Sequence, residues 1–338
     1  MKKISTFLAA ALILGAVSCQ VEEQNEWTQG SDIARSTVRF NFKAAVDDFE
    51  VDAQTKASAD AIVRVTWRTG DEVSVVNVTK GTILGGKLAA TDNGSIVTFS
   101  GTVSGTLEKG DKLAYVYPAI SDNEQEISFS KTAVDLSEQS FDGSNPANVA
   151  FNAWSEDTFG GFSTLEDGVL TYSNDLQVFE LATCYMTVNM STLTPGAAIT
   201  SVEISEIGSG FYWTISDGEF AVDSSYPAGG ISVDCSNFTS SSRGLATVRV
   251  CAPPCAAADS RRLGIVLDDG FSPEGYASAF PAAERQAAAY YNINCTGFER
   301  ISIPEIDNGQ ISPYAGGEDN DWGDRSDEDN GYLRDIVM

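Results

Sequence analysis

Six cysteines, a glycine pair before a lysine and a dense acidic tail are the places where this 338-residue chain could do chemistry. Five of the cysteines, Cys184, Cys235, Cys251, Cys255 and Cys295, lie in the second half. Cys251-Ala-Pro-Pro-Cys255 puts three residues between its thiols, one more than a redox or zinc pair uses, and no second pair stands at zinc-finger spacing. Cys184, Cys251 and Cys295 sit inside strand-like runs, where cysteine acts as a small buried hydrophobe. Five is odd, so at least one of these thiols has no disulfide partner. The chain has no histidine. That removes Ser-His-Asp and Cys-His nucleophiles, histidine bases and most catalytic zinc sites. Carboxylate-only chemistry such as glycoside hydrolysis survives, and needs two carboxylates converging in a cleft. Leu84-Gly85-Gly86-Lys87 lacks phosphate-loop spacing and precedes no helical pattern, so a hairpin turn is expected there. Counted from Asp319, the acidic run 318–331 lacks the glycine and glutamate of an EF-hand loop, which leaves a solvated tail as the expectation. Trp154, Phe159 and Phe162 could form a sugar-stacking platform or pin a long loop to its domain. The expectation is of a non-enzyme with no cofactor and no metal.

The elements that must position these residues read as strands. Period-2 alternation runs through 37–42, 62–67, 72–78, 95–99, 112–117 and 126–129. It resumes in 178–190, 199–204, 211–215, 218–222, 231–235, 246–251, 262–267 and 289–295. Turn residues separate these runs at Thr69-Gly70-Asp71, Asp92-Asn93-Gly94, Lys109-Gly110-Asp111 and Ser216-Asp217-Gly218. Short alternating strands with such turns predict all-β, antiparallel sandwiches with one solvated face, and no amphipathic helix competes with them. Residues 131–176, rich in Ser, Asn, Asp and Gly, break the rhythm and read as irregular structure joining two units. The division expected is 37–172, 173–300 and an acidic tail 301–338.

The N-terminus reads as an address. Lys2 and Lys3 precede a mostly apolar stretch, residues 4–15, too short to span a bilayer. Ala16-Val17-Ser18-Cys19 resembles a bacterial lipobox, which implies cleavage after residue 18 and lipid on Cys19. Two or more acyl chains anchor a protein stably where one does not. Residues 19–36 form an acidic, polar tether, whose start resembles the export signal of surface lipoproteins in the Bacteroidota. The expected location is therefore the cell outer membrane, lipid-anchored and facing outward. With 21 basic against 48 acidic residues, nucleic acid and anionic lipid are repelled as partners.

Several strand motifs together resemble the fimbrillin family. Val65-Thr-Trp67-Arg-Thr-Gly70-Asp71-Glu-Val-Ser-Val75 resembles its "W-x-x-G-D-x-I-x-V" element. Leu107-Glu-Lys-Gly110-Asp111 and Ala114-Tyr-Val-Tyr117-Pro118 resemble its run into a "Y-x-Y-P" strand. Phe179-Glu-Leu181, Ile199-Thr-Ser-Val202-Glu-Ile204 and Ala287-Ala-Ala-Tyr290-Tyr-Asn-Ile293 resemble its second half, with Ala288-Ala289 where the family has Gly-Lys. The resemblance spans residues 37–300 and implies two tandem transthyretin-like β-sandwiches in a subunit of a type V pilus. It also implies assembly by strand exchange with other fimbrial subunits or further copies of the chain, and adhesion to a host or bacterial surface. Processing after an arginine near the N-terminus goes with it, and Arg35 is the candidate, with Arg39 second. A surface glycan-binding lipoprotein of a nutrient-uptake system is the alternative, and Trp154 its test residue.

Overall fold

The computed structural model describes residues 36–46, 50–51, 65–141, 151–162, 164–166, 169–191, 193–227, 229–256, 262–268, 273–281, 284–301, 305–307 and 310–312. Among them the chain is all-β, without a helix. The strands of the first half are β1 (Ser36–Val46), β2 (Glu50–Val51), β3 (Glu72–Asn77), β4 (Thr82–Ile83), β5 (Leu88–Ala90), β6 (Ile96–Gly105), β7 (Lys112–Tyr117) and β8 (Ile127–Ser128). Next come β9 (Lys131–Asp135), β10 (Glu138–Ser140), β11 (Ala153–Thr158), β12 (Thr164–Glu166), β13 (Val169–Leu181), β14 (Cys184–Met190), β15 (Ala198–Ile204), β16 (Gly210–Ser216) and β17 (Glu219–Asp223). The series closes with β18 (Ile231–Thr239), β19 (Ala246–Ala252), β20 (Arg262–Asp268), β21 (Pro273–Ala279), β22 (Ala289–Cys295), β23 (Glu299–Ile301), β24 (Glu305–Asp307) and β25 (Gln310–Ser312).

The first sheet closes on itself. Its strands run β5-β6-β1-β13-β11-β7-β3, and β3 returns to β5 through Glu72↔Ala89 and Val73↔Leu88. A seven-stranded, barrel-like ring results, which removes most of the unpaired backbone an open sheet would present. Trp67 stands at the centre of its core, 1% exposed, with the rings of Phe99, Tyr117, Phe151 and Phe179 at 5.0 to 5.2 Å. The Gly-Asp pairs that follow serve as turns. Asp71 accepts from the Arg68 backbone N–H at 2.7 Å, and Asp111 accepts from that of Glu108 at 2.9 Å. Gly70 and Gly110 supply the left-handed φ each turn requires, 89° and 98°. The two sites are one device used twice, each feeding a buried strand.

β3 and β7 are buried on both faces. Val73, Val75, Leu113 and Tyr115 face the ring's core, while Val76, Ala114 and Val116 face a second core with Phe211, Trp213 and Phe220. The alternation expected over 72–78 and 112–117 therefore gives way to continuous burial at Val75-Val76 and Ala114-Tyr115-Val116. A third core lies between the sheet β10-β18-β15-β20-β21-β23 and the sheet β19-β14-β22-β2.

Three findings modify the expectations. Residues 131–176, expected to be irregular, contain β9 to β12 and the start of β13. β9 pairs with β16 and β10 with β18, so this stretch is knitted into sheets formed by residues beyond 200. Its polar composition misled the reading, because β9 is an edge strand of exposed and half-buried residues in strict alternation. Secondly, the sheets are mixed rather than purely antiparallel: β1–β13, β14–β22, β10–β18 and β2–β22 are parallel. β1 keeps one buried and one exposed face although it pairs in parallel with β13, so alternation could not separate the two kinds of pairing. Thirdly, β13 runs continuously through residues 172–173.

Candidate functional site

The feature with most functional content is the seat of the first strand. β1 alternates apolar with polar or small residues for its whole length. Val38, Phe40, Phe42, Ala44 and Val46 point into the ring and are buried. Thr37, Asn41 and Lys43 are exposed between them, with Arg39 and Ala45 half-exposed. Phe40 meets Tyr172 at 5.1 Å edge-on, and Phe42 lies 4.5 Å from Tyr115 and 6.0 Å from Phe99. Both backbone edges are engaged. One pairs antiparallel with β6 from Ser36↔Gly105 to Ala45↔Ile96. The other pairs parallel with β13 from Val38↔Leu170 to Val46↔Phe179, with one irregularity between Phe42 and Lys43.

Fully burying a large apolar side chain contributes about 1.5–3 kcal/mol. Val38, Phe40, Phe42 and Val46 together are then worth a sum comparable to the net stability of about 5–15 kcal/mol typical of a native protein. An empty seat would leave an apolar cleft walled by two unpaired strand edges. Such a seat demands an occupant with apolar residues at every second position.

Cys19, Arg35 and the acidic run 318–331 lie outside the described residues. The structure does place β1 directly after Arg35. A cut there would detach everything upstream, yet leave β1 joined to the chain through Val46. Arg39, the second candidate, lies inside β1, in register with Thr102 of β6 on one side and Thr171 of β13 on the other.

The other sequence candidates prove structural. Trp154 is on β11 with its ring 5.5 Å from Phe220, and Phe159 is 1% exposed between Phe162 and Tyr172. Phe159 pins the chain from within the ring's core, while Phe162 packs half-buried against that core and Trp154 against the second. Residues 84–87 form the link between β4 and β5, and Lys87 pairs with Glu72 at 2.9 Å and with Asp122. The five described cysteines are free thiols, four of them buried. Burial raises the thiol pKa of Cys251 to about 11, of Cys235 and Cys295 to about 12, and that of Cys184 higher still. Protonated thiols of this kind are poor nucleophiles and poor ligands. Among the described residues no group of three His, Cys, Asp or Glu side chains could hold a metal.

Sequence reasoning missed the carboxylate of Asp157. It accepts from Tyr172 at 2.5 Å and Asn174 at 2.7 Å, bridging β11 and β13. Those two strands pair only at Ala153↔Leu181 and Trp154↔Glu180 and then splay, so side chains tie what backbones do not. Nothing in the run Trp154-Ser-Glu-Asp157 signals this.

No family model matches the chain, and no curated protein matches it. Solved structures do. A protein assigned to cell adhesion from Bacteroides ovatus aligns with a TM-score of 0.43 at 13% identity, over 80% of this chain and 97% of that one. One from Parabacteroides distasonis aligns at 0.41 and 12%, over 83% and 92%. The tip fimbrial protein Mfa3 from Porphyromonas gingivalis, with a C-terminal truncation, aligns at 0.32 and 12%, over 83% and 88%.

Proposed function

We propose that this chain is a structural and adhesive component of a fimbria-like fibre on the cell surface. In this reading it reaches the outer membrane by lipid on Cys19 and assembles with other subunits by β-strand complementation. The observation that carries the proposal is the seat of β1. An N-terminal strand with an alternating apolar face, held by backbone bonds on both edges, is a unit that an equivalent strand from another chain can replace. Backbone bonding is indifferent to sequence, while the pockets for alternate side chains select the incoming strand. The ordered motifs around Trp67, Asp71, Asp111 and Tyr117 support the fimbrillin reading, with its two transthyretin-like sandwiches.

Cleavage after Arg35 has a defined consequence in this scheme. It severs the lipid and frees the start of β1, but does not itself vacate the seat. A subunit that stays on the membrane is therefore uncut, and a cut subunit keeps its own strand until another displaces it. The test is to isolate the chain from the cell surface, determine its N-terminus, and treat the precursor with an arginine-specific protease. The expected products are lipidated Cys19 before cleavage and free Ser36 after it, with SDS-resistant ladders that Arg35→Ala abolishes. A cleaved chain that remains monomeric at high concentration would overturn the assembly scheme.

A further inference from the structure

The sheet β19-β14-β22 turns one face to a core and the other outward, and its outward side chains form ordered rows. The register aligns Cys251 with Tyr185 and Tyr290, Arg249 with Thr187 and Asn292, and Thr247 with Asn189 and Asn294. The first row is covered: Tyr185 and Tyr290 are buried with their rings stacked at 5.9 Å. The remaining rows reach solvent. Thr187, Asn189, Thr247, Arg249 and Asn292 are half-buried, and Asn294 is exposed.

A ladder of hydrogen bonds fixes these side chains. Thr247 donates to the Asn189 carbonyl at 2.9 Å. The Asn189 amide donates to Asn292 at 2.5 Å and to Asn294 at 3.2 Å, and Tyr290 donates to Thr187 at 2.9 Å. The ladder uses the oxygens of Asn292 and Asn294, which leaves their amide N–H groups as donors that the ladder itself does not occupy. Immobilised planar amides of this kind lose little entropy when they bind.

Thr247 and Arg249 also form one wall of a cleft of about 390 Å³ beside the ladder. Its other wall includes Phe238 and Phe141, half-buried rings at 5.3 Å in edge-on contact, together with Ser241 and the exposed Leu245. A volume of this size lies at the lower end of small-ligand sites. Neither ladder nor cleft wall contains an acidic residue, in a chain carrying 48 of them. Arg249, and Arg243 exposed on the adjoining turn, add two positive charges here, which lower the repulsion an anion meets.

We propose that this cleft and amide ladder bind a saccharide of one or two rings that bears a carboxylate. The phenyl faces would take the apolar face of a sugar ring, the Asn292 and Asn294 amides and the Ser241 hydroxyl its hydroxyl groups, and Arg249 the carboxylate. A guanidinium has five donors in a planar fork, so it serves a bidentate carboxylate while keeping a protein contact. This gives the adhesive part of the proposed function a ligand class, and it stands whether or not chains polymerise through the seat of β1.

The test uses the full purified chain on a glycan array carrying uronic- and sialic-acid-terminated saccharides beside their neutral counterparts, followed by calorimetry with the strongest binder. Acidic saccharides should bind and their neutral counterparts should not, with affinity falling as salt rises. Arg249→Gln should lower affinity about tenfold or more. Asn294→Asp, nearly isosteric and exposed, should lower it severalfold with an unchanged melting temperature, and it decides the matter if Arg249→Gln fails to fold. Absence of binding to every acidic saccharide, equal binding of neutral ones, or undiminished binding by Asn294→Asp would each overturn the proposal. None of these outcomes bears on ladder formation after cleavage at Arg35, so the two readings fail separately.

Discussion

Truncating β1 one face at a time tests the seat directly. Phe42 is 2% exposed and packs against Tyr115 and Phe99, so Phe42→Ala removes a ring from a core that cannot collapse around the gap. Such a truncation costs about 3–5 kcal/mol, of which each lost ring pair accounts for roughly 0.5–1.5. Asn41 precedes it on the same strand and points to solvent, and Asn41→Ala should stay within about 0.5 kcal/mol of the parent. Guanidinium unfolding followed by tryptophan fluorescence suits the comparison, because Trp67 touches Phe99 in the same core. Phe42→Ala should move the midpoint strongly at constant m, and Asn41→Ala hardly at all. A one-residue slip of β1 would exchange its two faces. Equal losses from the two variants, or a larger loss from Asn41→Ala, would refute both the register and the seat built on it.

Three further outcomes follow from particular contacts. A Cβ on Gly210 would stand 2.2 Å from the Val134 carbonyl oxygen, so Gly210→Ala should part β9 from β16 and speed hydrogen exchange across residues 131–135. Of the five described cysteines only Cys255 is partly exposed, and mass mapping after brief alkylation of the native chain should find it labelled first, with Cys184, Cys235, Cys251 and Cys295 labelled on unfolding. The hydrogen bond from Lys131, seconded by Ser225, lowers the Asp223 pKa from 3.8 to about 2. Since the folded value is the lower one, the contact stabilises above about pH 4 and is lost as pH falls towards 2. A carboxyl NMR titration should place the midpoint near 2 and return it towards 3.8 in Lys131→Met.

Much of the fold could be read from alternation, because a strand with one wet face writes its orientation into every second residue. β1, β6, β14, β19 and β22 were visible this way, and the turns at Gly70, Gly110 and Gly218 were visible from the φ values that only such residues adopt readily. Ser216-Asp217-Gly218 indeed turns with φ of 54° and 76° at its last two residues. What alternation could not convey was partnership. β1 lies against β13, whose pairing residues begin at Leu170, and nothing local to Thr37 or Phe42 names that partner. The same limit hid the amide ladder. Asn189, Thr247, Asn292 and Asn294 each read as the ordinary polar half of a strand, and only the register brings them into one surface. Of the aromatics singled out for binding, Phe159 lies inside the core and Trp154 is half-buried against Phe220, a difference their sequence neighbours do not signal.

The placement of β1 also has a mechanical side. A load applied at Ser36 along the strand would meet the antiparallel pairs to β6 and the parallel pairs to β13 together, in shear, instead of unzipping them one at a time. The residues expected to form the tether precede Ser36 in the sequence, at the end where this holds. A protein attached to a cell by that end and pulled at another point by flow would resist with the whole length of the strand. The strand whose exchange between chains is proposed above would thus be slow to yield under tension.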